Sequence, residues 1–257
     1  MTLSIERKRR ILEILESKKT IKIKELCKIF DISRATALKD LKELASENKI
    51  MKVHGGAVLN SHEEYEKSIK ETLTNNLELK KKIGLKASQF VKDGDIIILS
   101  SGATVLELAK NLQNKKNLTI ITNSITTAYY LFEFYEYNDF NIYLTGGLLR
   151  SRSGSMIGLI SKRTLNEFNA DKAFCGVAGI DTKNTTDINP SEAEISGDML
   201  SSAREKYILV DSTKFGKKNF IKITDLSNID FIITDKKPDK EYITIFNNYG
   251  IQLETCH

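Results

Sequence analysis

Residues 32–44 read ISRATALKDLKEL and residues 49–59 read KIMKVHGGAVL. The first stretch predicts a helix from Arg34 to about Glu47 with two distinct faces. Ala37, Leu41 and Leu44 point one way; Ala35, Lys39 and Lys42, spaced i, i+4, i+7, point the other. Ser33 is suited to cap this helix, because its hydroxyl can accept an orphan backbone N–H. Just upstream, Ile23, Leu26, Cys27 and Phe30 fall at i, i+3, i+4, i+7, the stripe of a two-turn helix, and Asp31-Ile32 leaves only a tight link. Residues 4–17 carry Ile11, Ile14 and Leu15 on one helical face, and Ile21-Lys22 forms a short extended piece. Helix, short turn, helix at this spacing is a helix-turn-helix. In that motif the N-terminal turn and the outward face of the second helix enter the major groove. Ser33, Arg34, Ala35, Thr36, Lys39 and Lys42 are therefore the candidate DNA-reading residues. A plain helical hairpin with solvated lysines would show the same periodicity. The second stretch separates the two readings: it alternates like a strand, turns at Gly55-Gly56 and resumes apolar, as a β-hairpin wing does. Such a wing brings Lys52, His54 and Gly55 to the DNA backbone or minor groove.

Charge follows the same division. Residues 1–60 hold 14 Lys/Arg and 8 Asp/Glu, a balance of +6, whereas residues 61–257 hold 25 and 26, a balance of −1. A basic head on a neutral body suits a polyanion-binding module, although a solvated lysine-rich surface gives the same sum. The chain of 257 residues, 40% apolar and 28% charged, has room for one or two globular domains. It contains no apolar run of about 18 residues, and its N-terminus lacks the continuous apolar segment of a signal peptide. A cytoplasmic protein with no membrane partner is expected. Cys27, Cys175 and Cys256 are far apart, and His54, His62 and His257 complete no metal-ligand spacing with them, so reduced thiols and no metal are expected.

Residues 60–78 are polar and read as a connector, with a short helix near Glu63–Lys70. This divides the chain into a head at 1–59, the connector, and a second domain at 79–257. From Leu79 to Val91 the pattern is helical and ends at the turn Lys92-Asp93-Gly94-Asp95. One unit then repeats: an apolar run, a loop of small polar residues, a helix. Ile96–Leu99 leads into Ser100-Ser101-Gly102-Ala103-Thr104, and Leu118–Ile121 into Thr122-Asn123-Ser124. Asn141–Leu144 leads into Thr145-Gly146-Gly147, and further runs follow at Ala173–Val177, Tyr207–Val210 and Phe231–Ile233. This is the grammar of a parallel α/β sheet, whose ligands sit at the carboxyl ends of the strands. The Ser101–Thr104 loop enters a helix, so its backbone N–H groups favour an anion. The loop is neither a Walker loop nor a GxGxxG fingerprint, so a nucleotide is not indicated. Taken singly, each loop reads equally well as an ordinary turn or cap.

The first motif resembles the DeoR-type winged helix-turn-helix, whose pattern is Ser-x-x-Thr-Ile-Arg-Arg-Asp-Leu followed by a wing ending His-Gly-Gly-Ala. Ser33, Thr36, Asp40, Leu41, His54, Gly55, Gly56 and Ala57 match; Ala37, Leu38 and Lys39 stand where the family has Ile, Arg and Arg. Lys39 cannot reproduce the planar bidentate contact of Arg with guanine, so the departures bear on operator sequence. SSGATVLELAKNL, ITNS, YLTGGLLR, DKAFCGVAGID, VDSTKFG and IITD resemble the sensor domain of the same family, in order and over nearly the whole chain. The resemblance implies a winged helix-turn-helix followed by a Rossmann-like α/β domain of the ribose-5-phosphate isomerase type, acting as a repressor of carbohydrate genes. Its partners would be double-stranded operator DNA and a sugar-phosphate effector, with no cofactor, and the chain would form a homo-oligomer, dimer or tetramer. It implies a phosphate seat at Ser101, Gly102 and Thr104, flanked by Ser100 and Ala103 where the family has Asp and Thr. Thr122, Asn123, Gly146, Gly147, Asp181 and Lys214 would lie around the sugar, Lys214 as counter-charge. Asn184 stands where many members have Gly, and Asn tolerates a left-handed turn.

Two rival readings remain at this level. The first is a sugar-phosphate isomerase with a DNA-binding appendage, for which Asp181, Glu192 and Glu194 are candidate bases. The stretch 189–197, NPSEAEISG, lacks the Lys-Gly-rich loop of those isomerases. The second is a metabolite-sensing adaptor without a DNA role, which would show no salt-dependent DNA affinity.

Overall fold

The computed structural model describes residues 4–18, 20–46, 50–53, 55–59, 69–133 and 138–256. The chain forms two compact units, Met1–Glu66 and Lys67–His257.

In the first unit, α1 (Ser4–Lys18), β1 (Thr20–Lys22), α2 (Ile23–Phe30) and α3 (Arg34–Ser46) precede the hairpin of β2 (Ile50–Val53) and β3 (Gly56–Leu59). The expected extended piece is β1, which joins the wing in an antiparallel sheet of order β1-β3-β2. Ile11, Leu15, Ile23, Leu26, Ala37, Leu41 and Leu44 interdigitate in one core with Ile21, Ile50 and Ala57. Asp31, at φ 50°, caps α2 in the left-handed conformation, which turns the chain sharply toward α3. One polar interaction lies inside this small core. Arg7 donates from Nε to Asp40 Oδ2 at 2.6 Å and from Nη2 to Oδ1 at 3.1 Å, tying α1 to α3. Asp40, part of the motif, is thus a structural residue with no exposed face.

The second unit is built on a seven-stranded, all-parallel sheet of order β15-β14-β12-β9-β4-β5-β6. Its strands are β4 (Ile96–Leu99), β5 (Thr119–Thr122), β6 (Asn141–Leu144), β9 (Ala170–Gly176), β12 (Ala203–Leu209), β14 (Phe231–Thr234) and β15 (Gln252–Thr255). The apolar runs are continuous because both faces of these strands are covered. Ile97, Leu99, Ile120, Phe174, Tyr207 and Ile233 pack under α5 (Leu77–Ser88), α6 (Ala103–Ala109) and α7 (Ile125–Phe132). Ile98, Ile121, Ala173, Cys175 and Ile208 pack on the other face, against α8 (Leu159–Asn166), α9 (Pro190–Ser201) and α10 (Lys240–Tyr249). Two additions carry no clear local signal in the sequence. They are the hairpin of β7 (Leu148–Arg150) and β8 (Ser155–Ile157), and a small antiparallel sheet of β10 (Gly179–Ile180), β11 (Asn184–Asp187) and β13 (Ile221–Asp225).

The structure differs from expectation in three local places. Within the expected connector, α4 (Ile69–Thr74) is helical and belongs to the second unit, where Ile69 N donates to Arg152 O at 2.7 Å. The rest of the short helix expected near Glu63–Lys70 lies outside the described residues. The next helix is α5, which starts at Leu77 instead of Leu79 and ends at Ser88, short of Val91. Its first turn, Leu77-Glu78-Leu79-Lys80, places its two leucines at i, i+2 and so gives no helical stripe, and Lys80 Nζ binds Thr72 O at 2.5 Å to hold the α4–α5 corner. Finally, Asn184 is not left-handed: it opens β11, paired with Asp225. The turn before it is shaped by Asp181, whose Oδ1 accepts Lys183 N and Asn184 N at 2.7 Å each.

Candidate functional site

At the start of α3, Ser33 Oγ accepts Thr36 N at 3.1 Å and lies 2.9 Å from Thr36 Oγ1, the N-cap its sequence position suggested. This cap fixes the backbone from which Arg34 and Ala35 project, both exposed. Leu38 is 41% exposed, so it sits outside the core stripe and completes an outward face of Ala35, Leu38, Lys39 and Lys42. Among the described residues, Arg34, Lys39, Lys42 and Lys52 form no ion pair, whereas Arg7 and Lys8 are engaged by Asp40 and Glu43. The unit therefore separates structural cations from cations presented to solvent. Lys52 and Gly55 are exposed on the wing; His54 lies outside the described residues.

The remaining candidates lie along the carboxyl edge of the parallel sheet, and the structure sorts them by role. Ser100 is buried and joins two strand ends, its N–H donating to Phe174 O at 3.1 Å and its Oγ accepting Gly176 N at 3.2 Å. The adjacent Cys175 thiol is fully buried, and burial pushes its pKa up to about 12, so it is an inert packing group. Asn123, also buried, is a hub: Oδ1 accepts Ser101 N at 2.8 Å, and Nδ2 donates to Met156 O at 3.2 Å. Thr122 is fully buried and its Oγ1 accepts Ser124 N at 3.1 Å. These three residues shape the loops from beneath.

What the loops present above is backbone. Gly102 stands at φ 140° and ψ 150°, a region open essentially to glycine alone, yet a β-carbon there would meet nothing within 4 Å. Space is thus free directly above it. Among the described residues the N–H groups of Gly102, Ala103 and Thr104 have no acceptor, and successive N–H groups in such a turn form an anion-receiving concavity. Gly146 and Gly147 sit in the next loop but one. A β-carbon on Gly147 would fall 2.5 Å from Ile157 O, so this glycine is required by packing.

Lys214 lies after β12, in a single 3-10 turn, Ser212–Lys214. Two carboxylates hold that turn: Asp211 Oδ1 accepts Thr213 N at 3.0 Å, and Asp235 binds Ser212 N at 2.5 Å and Ser212 Oγ at 2.9 Å. With β9 between β4 and β12, the Lys214 turn is two strand spacings, roughly 10 Å, from the Gly102 loop. Asp181 belongs with the Lys214 turn, since Gly216 N bonds both Ile180 O at 2.9 Å and the Tyr242 hydroxyl at 2.8 Å. Burial raises the Tyr242 pKa, keeping the hydroxyl that accepts Gly216 N protonated, so that it also donates to Ile180 O at 3.3 Å.

Sequence reasoning did not single out the cluster around Arg150. Arg150 Nη1 pairs with Glu192 Oε1, which also accepts Ser155 Oγ at 2.7 Å. The YLTGGLLR segment ends on Arg150, but its spatial neighbour is 42 residues away and left no local signal. The same bonds bear on the isomerase reading. Glu192 is committed to Arg150 and Ser155, Glu194 to Lys162 at 2.8 Å, and Asp181 to its own turn. Each is thus already engaged within the fold. Among the described residues there is no cluster of His, Cys, Asp and Glu suited to a metal, and no helix long and apolar enough to cross a membrane. A groove of about 420 Å³ along α10 and β15 shares no residue with these loops.

The two units correspond to two known families. The DeoR-like helix-turn-helix domain matches residues 7–63, and the DeoR C terminal sensor domain matches residues 75–236. The HTH-type transcriptional regulator GolR of Listeria innocua is 32% identical over 97% of this chain and 97% of its own. The glycerol-3-phosphate regulon repressor of Escherichia coli is 30% identical over 96% of both. Among solved structures, ribose 5-phosphate isomerase A of Methanocaldococcus jannaschii aligns at a TM-score of 0.41 and 21% identity, over 56% of each chain. Both full-length relatives are named as regulators and not as enzymes. A capped helix presenting unpaired cations, a parallel-sheet sensor and end-to-end similarity to such regulators place this chain in the DeoR family of helix-turn-helix transcriptional regulators.

Proposed function

We propose that this chain represses a carbohydrate-utilisation operon in the cytoplasm, acting as a homo-oligomer whose operator affinity is set by a phosphorylated sugar. The head, residues 1–59, reads DNA through Ser33, Arg34, Ala35, Thr36, Lys39 and Lys42, with Lys52, His54 and Gly55 of the wing against the backbone. Residues 79–257 hold the effector. Its phosphate takes the Ser101–Thr104 loop and its hydroxyls face Gly146, Asp181 and Lys214. Ser100, Thr122, Asn123 and Gly147 hold those loops in shape.

The observation that carries this reading is the Gly102 turn: a glycine-only backbone, open space above it and adjacent N–H groups without acceptors. Such a turn supplies hydrogen-bond donors to an anion without burying a charge. Ligand linkage then needs only a difference in affinity between two conformations. A difference of about 1–3 kcal/mol changes DNA affinity roughly 5- to 150-fold. By family resemblance the ligand relieves repression. A thermal-shift screen of sugar phosphates, repeated on Lys214→Ala, tests the site, since a ligand that binds only the folded state raises its melting temperature. A stabilising sugar phosphate whose effect is lost in the variant supports the reading; a full panel without any shift refutes it.

A further inference from the structure

We propose that the β6 edge of the parallel sheet is the surface through which two copies of this chain associate. The inference rests on the repressor reading only in that such a repressor needs more than one head per operator.

The two edges of the sheet are built differently. At the β15 edge, Gln252 is exposed and Glu254 is paired with Lys86 at 2.9 Å. Polar and charged residues of this kind keep an edge from pairing with another strand. On the β6 edge Asn141 is polar and exposed, but Ile142, Tyr143 and Leu144 that follow it are apolar and uncharged. Asn141 N and Thr145 N bond back to β5, so by strand alternation Ile142 and Leu144 turn their N–H and C=O groups outward. Among the described residues no strand takes them up.

Apolar side chains surround this open edge on both faces of the sheet. Tyr143 is 47% and Leu144 43% exposed on β6 itself, and Leu148 is 68% exposed on β7. Tyr129 of α7 is 68% exposed, and Leu159 and Ile160 at the start of α8 are 72% and 62% exposed. These elements are contiguous. Gly146, in the loop leaving β6, lies against Ile160, and the ring of Tyr143 is 5.2 Å from that of Phe168, just past α8. The six residues expose roughly 700 Å², close to the ~800 Å² that each partner contributes to a standard-size interface and more than isolated exposed residues account for.

A second copy is the occupant because the centre of the surface holds no formal charge, with Glu133, Lys162 and Arg163 only at its rim. Segments 124–132, 141–149 and 155–161 contain no Asp, Glu, Lys or Arg, in a chain that is 28% charged. A two-fold contact sets a patch against itself, so any charge there meets its own like; this patch meets itself without that cost. A two-fold axis beside β6 also runs the two edge strands antiparallel, which satisfies the outward groups of Ile142 and Leu144 in one continuous sheet. The patch borders the Asn123 and Gly146 loops, so association and effector binding act on the same segments.

The test is the mass of the full-length protein by sedimentation equilibrium at tens of micromolar, with far-UV circular dichroism as the folding control. Wild type is expected to be a dimer or a larger even assembly. Leu148→Glu/Leu159→Glu is expected to raise the dissociation constant about 100-fold with the spectrum unchanged. If that variant does not fold, Tyr129→Lys, on an outward helix position, is expected to weaken association in the same direction. A monomeric wild type, or folded variants that keep the wild-type mass, would overturn the proposal. Binding of a duplex carrying the operon's own upstream region is measured in parallel. A wild-type dimer that ignores this DNA refutes the repressor reading and leaves the edge proposal standing; a DNA-binding oligomer indifferent to the substitutions refutes only the edge.

Discussion

Gly102→Ala separates the shape of the effector loop from the stability of the fold. At φ 140° and ψ 150° a non-glycine residue strains the backbone by about 1–3 kcal/mol. No steric clash adds to this, because a β-carbon meets nothing within 4 Å. Two outcomes follow from that balance. If Ser101 N stays clamped by Asn123 Oδ1, the loop keeps its shape and the unit loses the strain energy. For a unit of this size that lowers the melting temperature by roughly 2–4 °C per kcal/mol. If the loop relaxes instead, stability recovers, but the backbone N–H groups of positions 102–104 no longer converge and effector affinity falls. Differential scanning calorimetry and titration of a stabilising sugar phosphate, run on one preparation, read both quantities. DNA binding by the head should be retained, giving a repressor that no longer responds to its effector. A variant with unchanged melting temperature and unchanged effector affinity would refute the assignment of the loop.

Further expectations follow from other parts of the chain. Lys39→Ala/Lys42→Ala should weaken DNA binding and flatten the slope of log affinity against log salt, by about one unit for each DNA phosphate no longer neutralised, measured by anisotropy. Arg7→Met should destabilise the head by about 3–5 kcal/mol in urea unfolding, because it strands the buried Asp40. Arg7→Met/Asp40→Leu should recover most of that loss, and a double variant as unstable as the sum of the singles would contradict this account. Asp171 has its pKa lowered chiefly by the Ile96 N–H, donated at 2.8 Å, and further by Arg204. Its folded pKa lies below the unfolded value, so its contribution is present above that value and is lost as pH falls through the folded one. Asp171→Asn should therefore make acid unfolding less steep; an unchanged acid limb would show that this carboxylate is not linked to folding.

Much of the fold is written in local periodicity. The α3 stripe of Ala37, Leu41 and Leu44, the Ser33 cap and the apolar runs at Ile96–Leu99 and Phe231–Ile233 each depend on neighbours within a few residues, and each is legible in the sequence. The site is legible in place but not in role. Ser100, Thr122 and Asn123 stand out because polar residues follow a strand; that Ser100 and Asn123 are buried clamps follows from partners 76 and 33 residues away. Asn184 departs from its expected turn for the same reason. Its identity fits a left-handed conformation, but the Asp181 carboxylate already shapes that turn, and β13 takes Asn184 into a strand.

The sequence by itself determined the two-part organisation, the helix-turn-helix and the sheet edge at which the polar loops gather, because those follow from charge distribution and from periods of 3.6 and 2. Tertiary structure alone decided which polar residues face outward. Arg7 and Lys8 are as basic as Lys39 and Lys42, and only the positions of Asp40 and Glu43 make the first pair structural and leave the second exposed. The same holds for Glu192 beside Arg150 and for the β6 edge, which no strand takes up among the described residues. A charge or an apolar side chain carries no function until long-range packing settles whether it is neutralised, covered or left facing solvent.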